Sequence, residues 1–182
     1  MEDLRDLITG RPISEYEDEP IRQDAEALLL ELGYQAGDIQ VDAERRVEVD
    51  GRPEAIRVDL LVSLAGRPAM ALRCARGSLV TREREAVAAA RAVCDPWAPL
   101  AAVTNRYDAV LLDTASAGVL QRGLEAIPDP ARLARLLQER PPRPTEPAKL
   151  LSAARVYLAM ASLQGECSHR CQIQESLRRG DE

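Results

Sequence analysis

Arg57-Val58-Asp59-Leu60-Leu61-Val62, the turn Ala65-Gly66-Arg67-Pro68 and the run Ala69-Met70-Ala71-Leu72-Arg73-Cys74 form the most informative part of the chain. Residues 55–64 pass from alternating into fully apolar, which predicts a strand that becomes buried along its length. The turn then reverses the chain into a second apolar strand. Just upstream Arg45–Val49 alternates, and Asp50-Gly51 is a hairpin-type turn signal. The expectation is an antiparallel meander with a buried middle.

On the N-terminal side, Asp18-Glu19-Pro20 announces a helix, because proline early in a helix lacks only an N–H that would go unpaired anyway. Ile21, Ala25, Leu28, Leu29 and Leu32 continue it at helical spacing, and Gly33 ends it. On the C-terminal side Gly77-Ser78 breaks the second strand, and Thr81 is positioned to cap an Ala-rich helix reaching about Val93. Short apolar runs at Leu100–Thr104 and Ala109–Asp113, with another at Val119, predict further strands. Pro128-Asp129-Pro130 opens a helix carrying Leu133, Leu136 and Leu137. Four prolines between Arg140 and Pro147 make a stiff extended connector. A last helix over about 148–163 precedes a polar tail. The expected organisation is an α/β domain over 1–139, a Pro-rich linker over 140–147, and a C-terminal helix and tail over 148–182. Joining the third strand to the fourth through a helix calls for a right-handed crossover, so the class is α/β (α+β), a mixed central sheet flanked by helices.

With 182 residues, 46% hydrophobic and 30% charged, the composition is globular rather than disordered. Phe is absent and Trp occurs once, so the core must be built from Leu, Val, Ile and Ala. The net charge of −6 argues against a protein that coats nucleic acid by phosphate contacts alone. Residues 1–50 nevertheless carry a net −10, and Arg67–Arg91 a net +4. These are either two solvated surfaces or a directed basic patch. No apolar run approaches membrane-spanning length, and Met1–Asp6 is acidic rather than leader-like. A cytoplasmic protein with reduced thiols at Cys74, Cys94, Cys167 and Cys171 is expected.

The opening helix Glu19-Pro20-Ile21-Arg22-Gln23 closing at Leu32-Gly33-Tyr34, the strand Arg57–Val62, the turn after it, and Ala101-Ala102-Val103-Thr104-Asn105 resemble, in order and spacing, a known family over about residues 15–137. That family is the N-terminal nuclease domain of type I restriction enzyme R subunits and its small stand-alone relatives. The resemblance implies a restriction-endonuclease-like fold. It also implies a PD-(D/E)xK centre, in which carboxylates on neighbouring strands hold magnesium and a lysine faces the scissile phosphate. Asp59 matches the first carboxylate, and Glu19 lies where an early helix often adds an acid. The E-x-K is degenerate: Arg73 stands in place of its acid and Ala75 in place of its lysine. A guanidinium stays protonated and ligates no metal. Glu83 and Glu85, ten or more residues on, are not expected to restore the pair.

Two readings of Arg73 stand side by side: an ion pair with Asp59, or a solvated cation beside an Asp59 that caps a loop. Gly77–Arg82 is either a phosphate cradle or an ordinary loop with a helix cap. Arg73, Arg76, Ser78, Arg82 and Arg84 are the candidate nucleic-acid contacts. In the tail, Cys167, His169 and Cys171 are weak zinc candidates, because structural sites need four ligands and wider spacing. The leading expectation is a non-catalytic nuclease-fold module, without cofactor, that binds DNA or a protein partner. The alternatives are a magnesium-dependent endonuclease with an acid recruited from Glu19, Glu83 or Glu85, and a structural protein that self-associates. The last would use Leu150, Leu151, Ala154, Tyr157 and Leu158 of the terminal helix.

Overall fold

The computed structural model describes residues 5–13 and 19–162. Helix α1 (Glu19–Glu31) buries the stripe Ile21, Ala25 and Leu29. It closes where Gly33, at φ 100°, lets its own N–H reach Leu30 and the Tyr34 N–H reach Leu29, the paired bonds of a glycine-terminated helix.

Six strands follow: β1 (Ile39–Val49), β2 (Arg52–Leu64), β3 (Arg67–Cys74), β4 (Leu100–Thr104), β5 (Ala109–Asp113) and β6 (Val119–Arg122). They form one sheet whose spatial order is the chain order, antiparallel throughout except for the parallel pair β3–β4. Helix α2 (Glu83–Ala92) makes the crossover between those two. Both hairpin turns carry two consecutive positive φ values, 52° and 77° at Asp50-Gly51 and 51° and 74° at Ala65-Gly66. That twist matches the twist of the flanking strands.

Helices cover both faces of the sheet. Under α1 and α3 (Pro130–Glu139) lies a core containing Leu29, Leu60, Met70, Leu72, Leu111 and Leu133. Under α2 and a C-terminal helix α4 (147–162) lies a second core with Ile56, Val58, Ala89, Val103 and Leu112. Val58 belongs to the second core but Leu60 and Val62 to the first, so β2 changes its facing at Asp59. Opposite it, β1 bends at Asp42, whose φ is 50°.

Two expectations change. Thr81 does not cap α2: a short 3-10 turn spans Val80–Arg82, and the Thr81 hydroxyl donates to the Ser78 carbonyl at 3.0 Å. The apolar stripe of α4 is not free for a second copy. Ala154 and Tyr157 are buried in the second core, with Leu150, Leu151 and Leu158 packed against it, because the connector returns the helix onto the α2 face. Cys167, His169 and Cys171 lie outside the described residues. Among the described residues no helix is long and apolar enough to cross a membrane.

Candidate functional site

The antiparallel register of β2 and β3 pairs Leu60 with Leu72, and Asp59 and Arg73 each lie one residue beyond that pair. There the Asp59 carboxylate accepts from the Cys74 backbone N–H at 2.8 Å and faces the Arg73 guanidinium at 3.1 Å. The second fork of Arg73 donates to Glu85 at 3.0 Å. Glu85 itself is 1% exposed, and its other oxygen faces Arg82 at 3.6 Å. A guanidinium therefore sits between the two carboxylates nearest to it.

Burial works against the charge of Arg73, but Asp59 and Glu85 outweigh it and hold its pKa above the usual guanidinium value. For Glu85 the order is reversed: burial raises its pKa, while Arg73 and Arg82 draw it down. The Cys74 thiol is buried, and that burial pushes its pKa well up, so it remains protonated rather than becoming a thiolate nucleophile.

A second charged cluster adjoins the first. Arg22 on α1 meets Asp6 at 3.0 Å, Glu19 at 2.6 Å, Glu26 at 3.6 Å and Asp42 at 3.6 Å. Burial raises the pKa of Asp42, and the nearby Asp59 charge adds to that rise while Arg22 opposes it. Glu26 is fully buried, and burial together with the Asp6 charge lifts its pKa to about 7. Its Oε2 accepts the Leu7 N–H at 3.2 Å, which ties the segment 5–13 to α1.

Asp59 and Arg73 meet as one of the two readings had it, and Asp59 also takes the Cys74 N–H. Ala75 is buried, its N–H donating to the Thr104 carbonyl, and carries no functional group to the site. Glu19 is committed to Arg22 and Gln23. Arg76, Ser78 and Arg84 are exposed around the start of α2, and Arg82 is partly buried against Glu85. Glu83 turns to Arg122 at 2.8 Å. Glu85 corrects the expectation made for it, since the crossover of α2 brings it to the site despite its distance along the chain. A sequence signal was available: Glu85 shares helical spacing with Ala88, Ala89 and Ala92, all buried, so it lies on the inward face.

Magnesium does not fit this arrangement. The position between Asp59 and Glu85 is filled by the Arg73 guanidinium, a permanent cation. Among the described residues no three His, Cys, Asp or Glu side chains converge as a metal-binding set.

Compared with known proteins, residues 17–128 match the family model described as type I restriction enzyme R protein N terminus. The mixed sheet with helices on both faces fits the restriction-endonuclease-like fold of such domains. Neither the curated proteins nor the solved structures contain a match.

Proposed function

Since the chain belongs to the family of type I restriction enzyme R protein N-terminal domains, we propose that it is a nuclease-fold binding module in which an internal ion pair replaces the metal chemistry. The observation that carries this is the fork of Arg73, at 3.1 Å from Asp59 and 3.0 Å from Glu85. A divalent ion ~4 Å from that guanidinium would be repelled by roughly 8 kcal/mol at an effective dielectric of ~20. With Arg82 facing Glu85 at 3.6 Å as well, two guanidinium groups already balance the two carboxylates.

The partner we assign is nucleic acid, bound along the rim where Arg76, Arg82 and Arg84 follow β3. These arginines lie around the start of α2, close in the chain to the Asp59–Arg73–Glu85 cluster, and guanidinium forks suit phosphate oxygens. The protein as a whole is acidic, so such binding is local and salt-sensitive.

The test has two arms. Incubated with plasmid DNA and magnesium or manganese, the protein leaves the DNA intact. In titrations with a duplex oligonucleotide it binds with an affinity that falls steeply as salt rises, and the triple variant Arg76→Glu, Arg82→Glu, Arg84→Glu abolishes binding. Metal-dependent cleavage lost in Asp59→Ala would overturn the non-catalytic reading. Absence of any DNA binding would shift the partner to a protein. The position of Glu85 favours a second reading, a conditional nuclease in which Arg73 leaves the centre. Cleavage gained in Arg73→Ala, and lost again when Glu85→Gln is added, would establish it.

A further inference from the structure

Further along α2, a cavity of about 500 Å³ opens between α2, α4, the turn after β5 and the proline-rich connector. Four cations line it: Arg84 and Arg91 from α2, Arg143 from the connector and Lys149 from α4. No carboxylate is among the lining residues. Val87 and Ala88 on one helix and Ala153 and Val156 on the other supply an aliphatic wall. The volume is that of a small-molecule site, and an apolar wall with a few convergent charges is the usual composition of one.

The cations differ in how far they are engaged. Lys149 meets Glu146 at 3.0 Å, both exposed. Arg91 donates to the carbonyls of Thr114 at 2.9 Å and Ala115 at 3.0 Å and lies 5.9 Å from the centre of the Trp97 ring. It is thereby fixed in place, with no carboxylate among its hydrogen-bond partners to offset its charge. The Arg84 and Arg143 side chains are exposed and meet no carboxylate at ion-pair distance among the described residues. Three guanidinium groups thus line one concave surface that no carboxylate lines, Arg91 feeling Asp113 from outside it, an arrangement that favours an anion able to accept paired N–H bonds.

We propose that this cavity is a binding site for a nucleoside phosphate, its phosphate oxygens among Arg84, Arg143 and Lys149 and its base against the aliphatic wall. A free inorganic anion would leave that wall wet, and an uncharged ring would leave the cations without a counter-charge. The same chemistry is offered by a free nucleotide and by the terminal nucleotide of a single strand. The site stands apart from the Asp59–Arg73 centre and does not depend on what that centre does.

Trp97 is the only tryptophan of the chain and forms part of the cavity lining, so its fluorescence reports occupancy directly. The full-length protein is titrated with ADP, with inorganic phosphate and with a 5′-phosphorylated single-stranded oligonucleotide, followed by fluorescence and by calorimetry. ADP or the oligonucleotide binds saturably and at least tenfold more tightly than phosphate, which identifies the free or the strand source. Arg143→Glu weakens that binding about tenfold or more, as expected for the loss of a charge-assisted contact and its replacement by repulsion. Val156→Trp, which fills the cavity from an exposed helix position, does the same, whereas the distant Arg46→Glu leaves binding unchanged. Arg143 lies outside the rim assigned to duplex DNA, so its effect separates this site from that one. Binding of neither probe, equal affinity for phosphate and ADP, or undiminished binding in both Arg143→Glu and Val156→Trp would overturn the proposal.

Discussion

Arg73 is held by both forks of its guanidinium, but its two partners differ in how well they tolerate its loss. The Asp59 side chain is 21% exposed and keeps the Cys74 N–H, so water can replace the arginine there. The Glu85 side chain is 2% exposed, and losing Arg73 removes its 3.0 Å partner from a site that water cannot readily enter, with Arg82 at the longer distance of 3.6 Å. Stranding a buried charge costs on the order of 3–5 kcal/mol, whereas an exposed pair is worth about 1 or less. Urea denaturation should therefore place Arg73→Ala on the order of 3 kcal/mol below wild type and Asp59→Ala closer to 1. In double-mutant cycles the Arg73–Glu85 coupling should exceed the Arg73–Asp59 coupling; the reverse order would mean that Asp59 is the principal partner. The Asp59–Arg73 meeting was one of two readings left open by the sequence: the family register implied convergence, since residues opposite each other in an antiparallel pair share a face, but the exposure of Arg73 could not be read. Glu85 was not legible, since its approach depends on how the crossover helix lies over the sheet. Chain distance was misleading there, and the buried alanines that share its helical face were the better guide.

At the level of elements, the hairpins were readable because Asp50-Gly51 and Ala65-Gly66 place glycine where φ must be positive. The fate of α4 was harder to read, since an apolar stripe after a proline-rich connector suits a second copy as well as the chain's own core. Tyr157 settles it structurally: it is 7% exposed within the second core, and its hydroxyl accepts the Arg57 N–H at 3.3 Å. Two substitutions separate its packing from its hydrogen bond. Tyr157→Phe should cost about 0.5–1.5 kcal/mol, leaving the Arg57 N–H to find water. Tyr157→Ala should cost about 3–5 kcal/mol by opening a cavity between α4 and β2. Near-equal losses in thermal or urea unfolding would show that α4 contributes little to the fold. The stripe around Tyr157 is occupied within the chain, so neither change should alter the oligomeric state seen by light scattering.

Across the whole molecule, charge is partitioned so that stability varies with pH. Arg22 gathers Asp6, Glu19, Glu26 and Asp42 from the N-terminal segment, α1 and β1. Glu26, with a folded pKa of about 7 against an ordinary 4.5, stays protonated in the native state after it has ionised in the unfolded chain. Its contribution is complete below about 4.5, falls as pH rises toward 7 and then levels off. The raised pKa of Asp42 acts in the same sense, and the lowered pKa of Asp6 acts oppositely at acid pH. Glu26→Gln, which keeps a neutral side chain, should flatten the decline between pH 4.5 and 7, gaining on the order of 1–3 kcal/mol relative to wild type at the upper end. A wild-type-minus-variant difference independent of pH would show that Glu26 is ionised in the fold. The sheet's spatial order, identical to its chain order, bears on how such a molecule assembles. Each strand but one can be added to its predecessor by closing a short turn, and such local closures are fast. The exception is the parallel joint of β3 and β4, which must wait for residues 75–99 to form the crossover. Folding is therefore expected to be gated by the docking of α2, the helix that also delivers Glu85 to Arg73, so the ion pair is completed in the slowest step of assembly.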